Sequence, residues 1–417
     1  MKRYGYIWQK LVSLENTKSA IWNASLHKRQ RKSVSVHLTE DAFERDAMQL
    51  SQLVDSGLFR PSPSHHMIIN DGLRKKQRDI YVPKFWPDQC VHWMLMLQIA
   101  PLILKSTYKY SCGSIPGRGV EYALTHVMRW LETDPKKCVW CLQLDIAKFY
   151  QHIDHDVLKE KFAKKIKDAR VLGLLNSIID SHAQGVPIGF YTSQWFANFY
   201  LNDFDHYVKQ ELQVPHYVRF ADDMLLFGPN KRELLRALEA IKNELKKIGL
   251  SIKEAQVSGK PAWQIFRPRD TPIHFLGHKI RAIRVAETAY RYKWVCTLDG
   301  ANRRRITKRA RKIAAKGYMD ETEAAQAVSD YGRARFGNNW MFERDNMRPR
   351  VDFDKARKLV SQAAKRCKHL PTMDKQEVKE DYERGIKRRD AVDTDRAQRG
   401  GRVDSRASTD RDNAGDA

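Results

Sequence analysis

The sequence contains few cysteines and no long hydrophobic run, and these two shortages exclude several classes of protein. The longest apolar stretch, Val91–Leu104, is interrupted by His92 and Gln98 and is too short to span a bilayer. Charged residues interrupt the segment Met1–Ala20, so no secretory signal peptide is predicted there. We therefore expect a cytoplasmic protein that does not contact a membrane.

The six cysteines are dispersed, and one pair, Cys138 and Cys141, lies close together in the sequence. A single Cys-x-x-Cys pair can be redox-active or half of a zinc site, but no second pair or suitably spaced histidines complete a site here. If residues 138–145 form a strand, the two thiols point to opposite faces of that strand. We predict that both are core residues.

Acidic residues are also scarce, because Lys and Arg total 75 against 50 Asp and Glu, which gives a formal net charge of +25. Such an excess indicates a polyanionic partner, with nucleic acid favoured over a membrane surface. The length of 417 residues predicts two or three domains with a sizeable core.

Two adjacent carboxylates nevertheless occur in an apolar setting, within the stretch Tyr217–Phe227. Apolar, β-prone runs flank Ala221-Asp222-Asp223, so the pattern predicts a hairpin with two aspartates at its turn. Neighbouring like charges disfavour ionisation, and a basic partner or a divalent cation offsets that cost. A solvated turn is the alternative for this stretch taken alone.

A further aspartate ends a second apolar run, Val139–Asp145. The residues that follow change to a helical pattern, so the carboxylate of Asp145 is predicted at a strand end beside a bend. Asp145 together with Phe220-Ala221-Asp222-Asp223 resembles the palm of reverse transcriptases, in which three aspartates hold two magnesium ions. The order of parts agrees, because Gly185–Gly189 lies between the two carboxylate elements and Phe275–Gly277 follows them. Matching motifs cover the range Arg78–Gly277.

The resemblance implies an α+β fold of the right-hand polymerase type, with fingers, a palm containing an antiparallel sheet, and a helical thumb. It divides the chain into a basic N-terminal helical extension at 1–70, fingers and palm at 71–285, a helical basic thumb at 286–375, and a charged, largely disordered tail at 376–417. Within the fingers, the run Asp88–Leu104 is predicted to form an amphipathic helix.

The resemblance also assigns the chemistry. Asp145, Asp222 and Asp223 are implied to be catalytic and, together with Ile146, to hold two Mg²⁺ ions. The implied reaction is in-line attack of a primer 3′-hydroxyl on the α-phosphate of a deoxynucleoside triphosphate.

The implied nucleotide site draws on several separate segments. In this family, basic residues of a fingers strand hold the triphosphate, and Arg78 matches that position best, followed by Lys76. Ordinary exposed cations are the alternative. The glycine-rich loop Gly113–Gly119 lacks the ending of a P-loop, and its Arg118 matches one family arginine whereas Ile115 replaces another. The implied nucleotide-binding residues are Arg78, Lys76, Arg118, Tyr150, Ile188, Gly189, Gln194 and Lys253.

Tyr150 lies five residues after Asp145, where the family has an aromatic ring that excludes a 2′-hydroxyl. This position implies a preference for deoxynucleotides, and a core tyrosine is the alternative, with Phe149 as the next candidate. The loop Gly185–Gln194 has Ile188 where most reverse transcriptases have glutamine. That form is similar to the enzymes of diversity-generating retroelements, which copy a template RNA with errors.

The resemblance places a primer grip at Leu276 and Gly277. Beyond it, basic residues recur at helical spacing opposite the apolar Ile306, Ala310 and Ile313, which is typical of a helix laid along duplex phosphates. A merely solvated basic face is the alternative. The predicted nucleic-acid-binding residues are Arg305, Lys308, Arg309 and Lys312.

The sequence therefore predicts an RNA-directed DNA polymerase of a bacterial retroelement. Its implied partners are a structured RNA template, a primer–template duplex, deoxynucleoside triphosphates, and an accessory protein or a second copy of the chain. A defence-associated reverse transcriptase that works with a noncoding RNA is the alternative within this class. A non-catalytic, maturase-like RNA-binding protein is the alternative outside it.

Overall fold

A computed structural model describes most of the chain and shows a mixed fold of helices and sheets. The described residues are 3–26, 28–71, 76–254, 262–285 and 292–366. The tail predicted at 376–417 lies outside them. Among the helices of these ranges, none has the length and apolar character needed to cross a membrane.

The N-terminal residues form helices, as predicted. These are α1 (Trp8–Leu11), α2 (Leu14–Ser25), α3 (Lys32–Ser35) and α4 (Glu40–Asp55). Helix α2 begins after Ser13 because the Ser13 side chain accepts a hydrogen bond from the Asn16 backbone N–H. Helices α1, α2 and α4 share one hydrophobic core with buried residues between Phe85 and Ile252.

The next helix, α5 (Cys90–Leu104), corrects a prediction, because it is not amphipathic. Its buried residues include Val91 and Met94 on one side and Met96 and Ala100 on the opposite side of the helix axis. Helices α1 and α2 pack against α5, and so does α9 (Tyr191–Tyr200). Helix α5 is therefore a central core element with little exposed surface.

Strands β1 (His65–Asp71) and β2 (Lys76–Val82) form an antiparallel hairpin in which Ile69 pairs with Arg78. The predicted domain boundary between residues 70 and 71 falls inside β1. The hairpin cannot be divided there, because its two strands stabilise each other through their backbone hydrogen bonds.

The central sheet has the strand order β3-β5-β6-β4-β7. Strands β3 and β5 are parallel, and the other neighbours are antiparallel. The strands are β3 (Ser111–Cys112), β4 (Trp140–Asp145), β5 (His216–Phe220), β6 (Asp223–Gly228) and β7 (Gln264–Phe266). The predicted strand before Asp145 and the predicted hairpin are both confirmed.

Helices and a second sheet cover the two faces of the central sheet. One face packs into the core shared with the N-terminal helices, and the other packs on α6 and on the sheet β8-β9-β10. The helices are α6 (Val120–Thr133), α7 (His155–Lys165), α8 (Ala169–Ile179), α10 (Asn202–Gln210) and α11 (Lys231–Lys247). The strands are β8 (Ile273–Phe275), β9 (His278–Arg284) and β10 (Tyr292–Leu298).

Cys138 and Cys141 are buried free thiols, as predicted for core residues. The expectation that they point to opposite faces of one strand is wrong, because β4 begins at Trp140 and both thiols join the same hydrophobic cluster. Burial raises the pKa of the Cys138 thiol to about 12 and that of Cys141 well above its ordinary value.

The C-terminal helices have a separate hydrophobic core. Helix α12 starts at an Asp299 cap and buries Ile306, Ala310 and Ile313, which confirms the predicted apolar face. The helices are α12 (Gly300–Lys316), α13 (Glu321–Arg335), α14 (Trp340–Phe342) and α15 (Phe353–Arg366).

Candidate active site

The hairpin of β5 and β6 presents two of the three predicted aspartates. Phe220 pairs with Asp223, which leaves Ala221 and Asp222 as the turn. Ala221 has φ of 54°, in the left-handed region that non-glycine residues seldom adopt. Such strain persists where surrounding contacts hold the backbone, and it is commonest at functional sites.

Strand β4 brings the third aspartate to the same place. Asp145 lies directly opposite Asp223 in the antiparallel pairing of β4 with β6. Beyond the strand end, the Ile146 backbone N–H donates a hydrogen bond of 3.2 Å to the Asp222 carbonyl. Residues that are far apart in the sequence thus meet at one end of two adjacent strands.

The electrostatics of this cluster are those of carboxylates that repel one another. The pKa of Asp145 is raised to about 7, chiefly by burial and then by the charges of Asp222 and Asp223, whereas Lys253 opposes the shift. One oxygen of Asp145, Oδ1, is buried and has no hydrogen-bond partner among the described residues. A buried carboxylate oxygen without a donor is costly unless a cation or a proton satisfies it.

These residues fit a divalent metal ion. Clustered carboxylate oxygens are the ligands that Mg²⁺ prefers. Across the described ranges, however, no three His, Cys, Asp or Glu side chains are already gathered as a metal-ligand cluster. The side chain of Ile146 is buried, so only its backbone can contribute to such a site.

Lys253 lies beside Asp145. Its backbone N–H donates a 2.8 Å hydrogen bond to the Asp145 carbonyl, and a β-bridge between Ile146 and Ile252 fixes the same segment. The Lys253 ammonium is close enough to lower the pKa of Asp145. A cation therefore lies near the three carboxylates.

Tyr150 and Phe149 differ in their surroundings. Both belong to the short 3₁₀ turn Phe149–His152, but Phe149 is buried in the core, whereas Tyr150 is half-buried. The pKa of Tyr150 is raised to about 12, chiefly by burial and then by the Asp222 charge. The charge of an aspartate therefore acts on the Tyr150 phenol.

The loop Gly185–Gly189 connects the Tyr150 turn to the β1–β2 hairpin. The Val186 N–H donates to the Tyr150 carbonyl at 2.8 Å, and the Tyr81 N–H donates to the Ile188 carbonyl at 2.8 Å. Added Cβ atoms at the two glycines would lie well inside van der Waals distance of the carbonyl oxygens of Tyr150 and Tyr81. Glycine is required at both ends because the backbones approach so closely.

The other predicted nucleotide contacts differ in their surroundings. Ile188 is half-buried in the connecting loop, and Gln194 is exposed on α9. Arg78 is exposed on β2 and lowers the pKa of Tyr150, so it lies on the Tyr150 side of the hairpin. The backbone of Lys76 begins β2.

Arg118 has a placement that the sequence did not predict. Its side chain is 6% exposed, and its Nη1 donates a 2.9 Å hydrogen bond to the Tyr108 carbonyl. A buried guanidinium that binds a backbone carbonyl stabilises the surrounding loop, and this placement does not support the predicted triphosphate contact.

The predicted primer grip forms the turn between β8 and β9. Leu276 and Gly277 have φ of 50° and 76°. The Gly277 carbonyl accepts hydrogen bonds from Asn302 Nδ2 at 2.9 Å and from the Asp299 N–H at 3.0 Å. The turn is therefore tied to the start of α12.

The basic face of α12 is shifted from the predicted set. Arg309 pairs with Asp330 at 3.0 Å, Lys312 lies 3.6 Å from Glu323, and Arg305 donates to Asn302. Lys308 is exposed, as predicted. The predicted nucleic-acid-binding set did not include Arg304 and Arg311, which are also exposed and lie on the same stripe of the helix as Lys308. Within the described part of the chain, none of these three residues forms an ion pair.

Sequence reasoning also missed Arg219, which is fully buried beneath the aspartate turn. Its guanidinium forms a two-bond ion pair with the buried Asp205. An arginine between apolar neighbours in a buried strand was the available signal, because such a charge is buried only when it is paired.

Comparisons with known proteins agree with the arrangement of these motifs. Residues 76–280 match the family model described as reverse transcriptase (RNA-dependent DNA polymerase). The chain is 26% identical over 180 residues to Protein YkfC of Escherichia coli (strain K12), a match that covers 40% of this chain and 47% of that protein. It is 26% identical over 226 residues to the Group II intron-encoded protein LtrA of Lactococcus lactis subsp. cremoris, covering 50% of this chain and 35% of that protein.

A solved structure of apo telomerase from Candida tropicalis, truncated from its C-terminal domain, aligns with a TM-score of 0.39 and 15% identity, covering 57% of this chain and 58% of that one. The chain spans about half the length of YkfC and about a third of LtrA. The family match begins and ends within a few residues of the predicted range Arg78–Gly277. Residues 76–280 are therefore a reverse transcriptase domain, the domain of RNA-directed DNA polymerases.

Proposed function

We propose that the chain is an RNA-directed DNA polymerase that makes cDNA from a structured RNA template. The observation that carries this proposal is the pairing of Asp145 with Asp223 across adjacent strands, with Asp222 at the neighbouring turn. In this proposal the β1–β2 hairpin and α5 are fingers, the central sheet is the palm, and the helices from α12 onward are the thumb.

The three aspartates would hold two Mg²⁺ ions, with the Ile146 backbone beside them. When bound, these ions lower the pKa of the attacking 3′-hydroxyl and neutralise charge on the transferred phosphate. The residues of the chain do the positioning. In this proposal the Lys253 ammonium near Asp145 would stabilise a leaving pyrophosphate, and Arg78 on the hairpin would bind the triphosphate.

The double substitution Asp222→Ala with Asp223→Ala tests the proposal. We expect complete loss of deoxynucleotide incorporation, with the fold and RNA binding retained, because removing two repelling charges relieves repulsion and deletes little core. The measurement is primer extension on an RNA template, accompanied by circular dichroism and RNA binding.

A matched control is Asp203→Ala, which removes an exposed carboxylate of α10 that pairs only with Lys161 among the described residues. This variant should extend primers as the unaltered protein does. Incorporation by the double variant above the level without enzyme would contradict the proposal.

We further propose that copying is error-prone, as in diversity-generating retroelements. Ile188 supports this, because its half-buried side chain offers shape and apolar contact where a glutamine would offer a hydrogen bond. Discrimination that rests on fit alone is worth about 1–3 kcal/mol. The defence-associated role is the alternative, and the similarity to LtrA, a group II intron-encoded protein, favours an intron-type retroelement as a further candidate.

The proposed partners are the structured RNA, a primer–template duplex, and an accessory protein or a second copy of the chain. Sequencing the nucleic acid that copurifies with the protein, and the DNA that it makes, separates the candidate roles. Errors spread through the cDNA would support diversity generation. Faithful copies of an intron or of a noncoding RNA would support the other two roles, and RNA binding without any DNA product would support the maturase-like alternative.

A further inference from the structure

Arg219 and Asp205 form a fully buried ion pair below the hairpin that carries Asp222 and Asp223. Both side chains are completely inaccessible to solvent. Arg219 Nε donates to one carboxylate oxygen of Asp205 at 2.7 Å, and Nη2 donates to the other at 2.6 Å. Such paired geometry is the strongest arrangement available to a guanidinium and a carboxylate.

Every N–H of the guanidinium has a partner. Besides the two bonds to Asp205, Nη2 donates to Ser111 Oγ at 2.7 Å, and Nη1 donates to Asn198 Oδ1 at 3.3 Å and to the Ala221 carbonyl at 3.0 Å. A guanidinium has five donors, and all five are used. The side chain thus links three separate segments of the chain to the aspartate turn.

The Ala221 carbonyl is the contact that points to function. Ala221 is the left-handed residue of the turn, and its N–H is directed at the Cys112 carbonyl, 3.4 Å away. The next carbonyl, that of Asp222, accepts from the Ile146 N–H. Three backbone polar groups of the turn are therefore held from outside the hairpin, and the bond from Arg219 is the one made by a charged donor.

Stability alone does not explain this pair. Burying two charges costs several kcal/mol of desolvation, and apolar residues of similar volume in the same place are often equally or more stabilising. What an apolar side chain cannot provide is a donor for the Ala221 carbonyl. We infer that Arg219, oriented by Asp205, is a positioning residue that fixes the Ala221–Asp222 turn so that the aspartates bind divalent metal ions.

This inference rests on the proposed function, and direct metal binding tests it without polymerase activity. Mn²⁺ serves as the probe, and its binding to the nucleic-acid-free protein is measured by electron paramagnetic resonance. The main variant is the triple substitution Tyr217→Phe, Asp205→Leu and Arg219→Met, which removes both charges and also the Tyr217 hydroxyl that donates to Asp205. We expect the triple variant to fold, because both members of the buried ion pair are removed together, and to bind Mn²⁺ at least tenfold more weakly.

The control is Tyr217→Phe alone, which leaves the bonds of Arg219 intact and should not change Mn²⁺ affinity. Arg219→Lys covers the case in which the triple variant does not fold, because lysine keeps the charge opposite Asp205 but lacks the planar fork that also reaches Ala221. It too should fold and bind Mn²⁺ more weakly.

The outcomes are distinguishable. If Mn²⁺ binding is lost in Asp222→Ala with Asp223→Ala but is unchanged in a folded triple variant and in Arg219→Lys, the positioning role is wrong and the proposed function stands. If the unaltered protein binds no Mn²⁺ that depends on these aspartates, both are wrong.

Discussion

At the scale of single residues, the candidate metal-binding aspartates and the arginine beneath them differ in what surrounds them in the sequence. Each of Asp145, Asp222 and Asp223 stands next to an apolar β-prone run.

Tyr150 gives a prediction at this scale. Tyr150→Ala removes the ring on which the Asp222 charge acts, so ribonucleotide incorporation should rise by about tenfold or more relative to deoxynucleotide incorporation, because space opens for a 2′-hydroxyl. Competition between ribonucleotide and deoxynucleotide triphosphates in primer extension measures the ratio for Tyr150→Ala. Tyr150→Phe keeps the ring and is the control. An unchanged ratio in Tyr150→Ala would show that another group excludes the hydroxyl.

The three aspartates were predictable from the local pattern of an apolar β-prone run beside each of them. Arg219 was not, because its partners Asp205 and Asn198 come from helices whose position depends on the whole fold.

At the scale of elements, periodicity located helices correctly but did not say which of their faces were free. Helix α12 carries basic residues on both sides of its apolar stripe, and the carboxylates of α13 bind some of them. Sequence alone could not distinguish Arg309, which forms an ion pair with α13, from Arg311, which is exposed. The difference depends on how α13 packs against α12. The same reason applies to α5. One of its faces is covered by α9, which comes much later in the chain.

The loop between Gly185 and Gly189 gives a prediction for these elements. Gly189 has φ of 116°, and an added Cβ would meet the Tyr81 carbonyl, so Gly189→Ala must separate the loop from β2. We expect a loss of about 1–3 kcal/mol in the free energy of unfolding and a lower kcat/KM for nucleotides. Urea denaturation and steady-state kinetics measure the two effects.

Gly57→Ala is the matched control for this substitution. Gly57 also has a positive φ, of 71°, but nothing lies within 4 Å of an added Cβ. The free energy of unfolding of Gly57→Ala should fall by about 1 kcal/mol, which is the cost of the backbone conformation alone, and its kcat/KM should be unchanged. Equal kinetic losses in the two variants would contradict a role for the loop contact.

At the scale of the whole molecule, the pKa of Asp145 predicts how stability depends on pH. Its pKa is about 7 in the folded protein against an ordinary value of 3.8, so the native state binds this proton more tightly than the unfolded chain does. Ionisation of Asp145 in the folded protein lowers the free energy of unfolding. This cost is absent below about pH 4, grows between about pH 4 and 7, and is fully present above about pH 7. With metal removed by chelation, the folded protein should lose on the order of 2–4 kcal/mol across that range.

Asp145→Asn isolates this contribution, because asparagine does not titrate. The difference in free energy of unfolding between the two proteins should change between about pH 4 and pH 7. Mg²⁺ should reduce this change, because the ion stabilises the ionised carboxylate of Asp145. Urea denaturation at a series of pH values measures it. Parallel pH profiles for the two proteins would show that Asp145 is not the titrating group.

The contact between the β8–β9 turn and α12 has a mechanical consequence. Because the Gly277 carbonyl accepts hydrogen bonds from both Asn302 and the Asp299 N–H, the β8–β9 turn is joined to the start of the helix at two points. If α12 follows the duplex in the proposed polymerase, the β8–β9 turn would move with it. The advance of the duplex and the repositioning of the primer end would then be a single motion that starts at the helix and not at the aspartates.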